Sequence, residues 1–148
     1  MKVIITIPAY NEERDIGNVL DEIKNVMDKT NHSYKIQVVD DGSKDKTAEI
    51  AKKHGAVVYS NARNLGLAET FQREMAYCLK SNAEVIIHTD ADGQYSPKHI
   101  PEIIKKIEDG YDLVLGSRFK GKIVGMPLLK RIGNKAFSKV ISSLIGVK

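Results

Sequence analysis

A chain of 148 residues with 42% hydrophobic content has the length of one domain and enough apolar side chains for a buried core. Charged residues make up 28%, which excludes a disordered polyelectrolyte, and the single cysteine, Cys78, excludes an intrachain disulfide and fits a reducing, cytoplasmic setting. The net charge of +4 hides a segregation: eight basic residues and no acid follow Leu113, so 15 basic and 19 acidic residues share the first 112 positions.

The opening run Met1–Ile7 is too short to span a membrane and lacks a signal peptide's cleavage pattern. Within it, Val3 to Ile7 predicts a strand. Ile16, Val19, Leu20, Ile23, Val26 and Met27 recur at helical spacing and predict a helix. A strand over Ile36–Val39, a helix over Asp45–His54 and a strand over Ala56–Tyr59 follow. Leu67, Phe71, Met75 and Leu79 mark the apolar face of the next helix. Glu84–His88 predicts a strand, the isoleucines at 100, 103, 104 and 107 a helix, and Asp112–Leu115 a fifth strand. Between Leu128 and Ile145 a wide apolar face is mixed with Lys130, Arg131, Lys135 and Lys139. That pattern suits a helix lying in a membrane interface beside anionic head groups, or one that packs or self-associates into a homo-oligomer.

Strands that alternate with helices and are apolar throughout predict an α/β domain, a mostly parallel sheet with helices on both faces. Ligands of such sheets bind beyond the carboxyl ends of the strands. The polar clusters fall there: Pro8–Glu12, Asp40–Asp45, Asn61–Gly66, Asp90–Tyr95 and Gly116–Phe119.

Asp90-Ala91-Asp92 carries the chemistry. Two carboxylates spaced i, i+2 at a strand mouth can face one side of the backbone, and Mg²⁺ or Mn²⁺ takes one or two carboxylates plus substrate phosphates. Gln94 adds an amide oxygen. Alone, the pattern reads more readily as turn capping. Asp40-Asp41-Gly42-Ser43 precedes a helix that Asp45 or Ser43 can cap. Adjacent carboxylates repel unless donors or cations are close, which points one of the two at ribose hydroxyls or a base edge. Tyr10 is placed to stack on a nucleobase or simply to pack, and Arg118 to grip a phosphate or to lie solvated. Gly116–Lys122 has the outline of a phosphate-binding loop, but Ile123 replaces the required Ser or Thr, and Pro127 delays any helix.

Together these segments resemble the family 2 glycosyltransferases of the GT-A fold, closest to the dolichol-phosphate mannose synthase branch. The likeness rests on PAYNE at Pro8–Glu12, VVDDGSKDKT at Val38–Thr47, NLG at Asn64–Gly66, DADGQYSP at Asp90–Pro97 and LGSRF at Leu115–Phe119. It implies that Pro8, Tyr10, Glu12, Val39 and Asp41 line the nucleoside pocket and that Asp90 and Ala91 contact the donor. It further implies that Asp92 and Gln94, with Asp90, hold the metal, and that Arg118 faces a phosphate. Asp90, Asp92 and Arg118 are then the catalytic set. The implied reaction is inverting, metal-dependent transfer of a sugar from a GDP- or UDP-linked donor to a polyprenyl phosphate, peripheral at the membrane, with no nucleic-acid partner. Such an acceptor is already anionic, so the lack of an acid beyond Asp112 leaves no missing base. Leu67 stands where many relatives carry a basic residue, and relatives continue past the point matching Lys148 into an acceptor-side segment. Residues 1–148 therefore read as one donor-binding domain. A phosphorelay receiver, which places its acidic pair after the first strand, and a sugar nucleotidylyltransferase, which needs a Gly-rich loop there, are the alternatives.

Overall fold

The computed structural model describes residues 1–116 together with Gly133, Ala136 and Phe137. Met1–Val114 form one compact unit and Leu115–Lys148 a second. The first unit contains four strands, β1 (Lys2–Ala9), β2 (Ser33–Asp40), β3 (Val57–Ser60) and β4 (Val85–His88). They are parallel in the order β3-β2-β1-β4. Between them run α1 (Ile16–Met27), α2 (Thr47–Lys53) and α3 (Leu67–Lys80), and α4 (Ile100–Glu108) follows β4 after a 3₁₀ turn at Pro97–His99.

The two-residue period of β1 divides its side chains between two environments. Val3, Ile5, Ile7 and Ala9 face Ile16, Leu20, Ile23 and Met27 of α1 and Ile104 of α4 in the main core. Each fully buried aliphatic side chain there contributes about 2 kcal/mol. α1 also packs on α2 and α4, so these three helices cover one face.

The other face is covered by α3, which lies on β1 and β2. Its inward residues are Thr70, Glu74 and Cys78, at most 1% exposed, whereas Leu67 and Leu79 of the expected apolar face are 68% and 67% exposed. The sheet explains the reversal. Thr6 and Gln37 project polar groups from β1 and β2, and a buried donor without an acceptor costs about 1–3 kcal/mol. Thr6 Oγ1 donates to Glu74 Oε1 at 2.8 Å. Gln37 Nε2 donates to Thr6 Oγ1 at 2.9 Å, to the Glu74 carbonyl at 3.1 Å and to Cys78 Sγ at 3.2 Å. A helix rotated to bury Leu67 and Leu79 loses those partners.

Asp112–Leu115 is not a strand. A strand exists only as a hydrogen-bonded ladder, and among the described residues β4 pairs with β1 alone. The C-terminal helix expected over Leu128–Ile145 lies outside the described residues apart from Gly133, Ala136 and Phe137, which are helical. Among the described residues no helix is long and apolar enough to cross a membrane.

The chain moves outward from β1 to β2 to β3, then returns across the sheet to place β4 on the far side of β1. That reversal opens a crevice past the carboxyl ends of β1 and β4.

Candidate active site

Pro8–Glu12 and Ser43–Thr47 are laced together at the mouth of the crevice. Asn11, in a left-handed conformation (φ 56°), accepts the Lys44 N–H through Oδ1 at 2.9 Å and donates its own N–H to Ser43 Oγ at 2.9 Å. The Glu12 N–H donates to Thr47 Oγ1 at 2.8 Å. Asp45 accepts the Thr47 N–H at 3.0 Å at the start of α2 and the Glu13 N–H at 3.2 Å. Ser43 thus ties the two loops, and Asp45 both opens a helix and holds the first loop.

Asp40 and Asp41 are 4% and 5% exposed, and backbone donors settle the repulsion that adjacency implies. Asp40 Oδ1 accepts the Ser43 N–H at 3.2 Å. Asp41 Oδ1 accepts Asn61 Nδ2 and the Leu65 N–H, both at 2.8 Å, and Oδ2 accepts the Gly66 N–H at 2.9 Å. Burial pushes the Asp41 carboxyl up, but the Leu65 N–H, Asn61, the Gly66 N–H and the Thr70 hydroxyl outweigh it and hold the group below its ordinary value. Gly42 lets the third loop close over the pair. It sits at φ +72°, and a Cβ there would meet the Arg63 carbonyl carbon at 2.5 Å.

Beyond β4, Ala91 is buried (3% exposed) and leaves the flanking Asp90 and Asp92 to line the crevice. Asp92 Oδ1 accepts the Gln94 N–H at 2.9 Å across a turn made possible by Gly93 at φ 69°. Turn capping and an open carboxylate thus coexist in one residue. Next to them His88, at the exposed end of β4, has Nδ1 3.5 Å from Glu74 Oε2 and Nε2 4.0 Å from Asp90 Oδ1. The Glu74 side chain raises the His88 pKa first, burial opposes that, and the charges of Glu74 and Asp90 reinforce the rise.

The crevice has a volume of about 380 Å³ and is lined by Pro8, Ala9, Tyr10, Glu12, Asp41, Asn64, Gly66, Leu67, Thr70, Asp90, Ala91 and Asp92. Seven of the expected site residues therefore meet in one place: Pro8, Tyr10, Glu12, Asp41, Asp90, Ala91 and Asp92. Tyr10 is 41% exposed. Val39 does not line the crevice; it is fully buried in β2. Gln94 is exposed and also off the lining, joined to the site by its backbone bond to Asp92. Arg118 lies outside the described residues. Sequence reasoning missed Thr70; its signal was position, on the first turn of a helix that follows the NLG cluster.

The crevice concentrates negative charge. The Glu12 carboxyl is raised above its ordinary value by burial first, then by Asp92, Asp15, Asp45 and Asp90. Among the described residues no three His, Cys, Asp or Glu side chains form a cage for a metal ion. Mg²⁺ and Mn²⁺ are commonly held by one or two carboxylates and completed by substrate phosphates. Asp90 and Asp92 fit such an ion.

This sheet order, with helices on both faces and the crevice at the reversal, is a GT-A-type nucleotide-diphospho-sugar transferase fold. The family model "Glycosyl transferase family 2" matches residues 4–141, and the chain belongs to that family. It is 37% identical over 144 residues to a dolichyl-phosphate hexose transferase of Haloferax volcanii, covering 96% of this chain and 59% of that protein. It is 34% identical to the UDP-N-acetylglucosamine–dolichyl-phosphate N-acetylglucosaminyltransferase of Methanococcus voltae, covering 97% and 63%. Among solved structures, glucosyl-3-phosphoglycerate synthase from Mycobacterium tuberculosis with Mn²⁺ and UDP-glucose superposes with a TM-score of 0.58 at 25% identity, over 74% of this chain and 40% of that one. The chain spans about half the length of the curated relatives it matches. Neither a receiver nor a nucleotidylyltransferase accounts for this family match.

Proposed function

We propose that the crevice binds a nucleoside-diphosphate sugar together with a divalent cation, and that the protein transfers the sugar, with inversion, to a polyprenyl phosphate at a membrane surface. The observation that carries this reading is the convergence of Tyr10, Glu12, Asp41, Asp90 and Asp92, drawn from the ends of three strands, on one cleft. The relatives named for dolichyl-phosphate substrates support the lipid acceptor, and the neighbour holding Mn²⁺ and UDP-glucose supports the donor and the ion.

In this reading Tyr10 stacks on the base and Asp41 accepts from a base or ribose donor, while Asp90 and Asp92 hold the ion and Arg118 faces a phosphate. A bound Mg²⁺ or Mn²⁺ offsets the charge that develops on the departing diphosphate. The lacing of Asn11 to Ser43 and of Glu12 to Thr47 keeps the base-side loop in place before the donor arrives, so less ordering accompanies binding. The acceptor's phosphate oxygen is already anionic near neutral pH, and no side chain has to remove its proton.

A thermal-shift screen of GDP-, UDP- and dTDP-sugars, with and without Mn²⁺, tests the reading. One nucleotide class should raise the melting temperature, and more so with Mn²⁺. No shift with any of them overturns the assignment.

A further inference from the structure

Arg73 stands in the second turn of α3 and reaches back to the loop between β3 and α3. Its Nη1 donates to Asn61 Oδ1 at 2.9 Å, and Asn61 Nδ2 donates to Asp41 Oδ1 at 2.8 Å. A guanidinium has five donors and no acceptor, so Asn61 can offer it only the carbonyl oxygen. The NH₂ group is then committed to Asp41. A flipped amide sets oxygen against oxygen at Asp41 and donor against donor at Arg73, at a side chain only 7% exposed to water. Glu69, one turn earlier on α3, accepts from Arg73 Nε at 3.4 Å and restrains the guanidinium from the other side.

The consequence falls on Asp41. Each carboxylate oxygen accepts about two hydrogen bonds. Asn61 and the Leu65 N–H fill Oδ1, while Oδ2 accepts the Gly66 N–H; the Thr70 hydroxyl lies close enough to favour the ionised carboxyl but makes no hydrogen bond of normal geometry. Spare acceptor capacity is thereby confined to Oδ2 on a residue that lines the crevice.

We propose that Arg73 is a positioning residue of the donor pocket: by orienting the Asn61 amide it saturates Asp41 Oδ1 and presents Oδ2 to the nucleotide. The proposal rests on the donor-pocket reading above. Arg73 touches no ligand in it and acts only through Asn61.

Calorimetry with GDP and UDP in the presence of Mn²⁺ tests this, alongside NMR of the Asn61 side-chain amide. Arg73→Met, which keeps the stem and removes the donors, should weaken nucleotide binding about tenfold and shift the Asn61 amide signals. Arg73→Lys should restore affinity to within about threefold of wild type, because a donor returns. Asn61→Ala should lose as much as the Asn61→Ala/Arg73→Met pair, since the two act in series. A wild type that binds nucleotide and an Arg73→Met variant that binds it equally overturn the Arg73 proposal alone, as do additive losses in the pair. A wild type that binds neither nucleotide overturns the donor-pocket reading and this role with it.

Discussion

The Thr6 hydroxyl donates to Glu74 Oε1 at 2.8 Å, joining the centre of β1 to a fully buried acid on α3. The same hydroxyl accepts from Gln37 Nε2 at 2.9 Å, so one oxygen satisfies two buried groups. Thr6→Val keeps the shape and removes both bonds. It should destabilise the fold by about 2 kcal/mol in urea denaturation, and Thr6→Ser should recover most of that loss.

His88 couples this network to pH. Its pKa is raised, first by the Glu74 side chain, against burial and with help from the charges of Glu74 and Asp90. A raised histidine stabilises the fold in its protonated form. The contribution is fully present below the ordinary value of about 6.5 and is lost as pH rises through the folded-state value. The stability difference between wild type and His88→Gln, followed by chemical denaturation, should be largest near about pH 5.5 and shrink toward about pH 9. A difference that grows with pH contradicts the assignment.

Cys78 should be nearly inert in the native protein. It is fully buried, and burial first, then the Glu74 charge, push its thiol up to about 11. At about pH 8 the thiolate fraction is then about 100-fold below that of a free cysteine, before any steric protection. Disulfide-exchange labelling should be slow in buffer and fast in denaturant.

Gly42→Ala should be among the most damaging small substitutions. The new Cβ would meet the Arg63 carbonyl carbon at 2.5 Å and sit at φ +72°. Left-handed strain and backbone overlap together cost about 3 kcal/mol. Displacement of the Asn61–Gly66 loop should also remove hydrogen bonds from Asp41, so nucleotide affinity should fall along with the melting temperature.

The strands and helices up to α4 were legible because their periodicity is local: the isoleucines of β1 and the i, i+3, i+4 spacing of α1 record which side of each element is buried. The inward face of α3 was not. Leu67, Phe71 and Leu79 have the right spacing, and the helix instead buries Thr70, Glu74 and Cys78. The cause lies in Thr6 and Gln37, on strands 68 and 37 residues from Glu74. The same limit applies at the site. DDGS and DAD announced Asp41, Asp90 and Asp92 because turn glycines and paired acids sit beside them in the chain. The partners that hydrogen-bond Asp41 are 20 to 25 residues away and become visible only in space. Val39 sits beside the DDGS segment, but its side chain is fully buried in β2, which only the packing of the strand reveals.

Cation-assisted nucleotide binding at Asp90 and Asp92 is decided by calorimetric titration of GDP and UDP with and without Mn²⁺. Asp92→Ala removes a carboxylate from the crevice, whereas Asp109→Ala removes one at the end of α4 that pairs with Lys106 at 3.2 Å on the surface. The predicted result is that Mn²⁺ strengthens binding of one nucleotide in wild type and in Asp109→Ala, and that Asp92→Ala loses this Mn²⁺-dependent gain, about tenfold or more in affinity. Equal losses in the two variants, or an Asp92→Ala variant that keeps its Mn²⁺-dependent affinity, contradict the account.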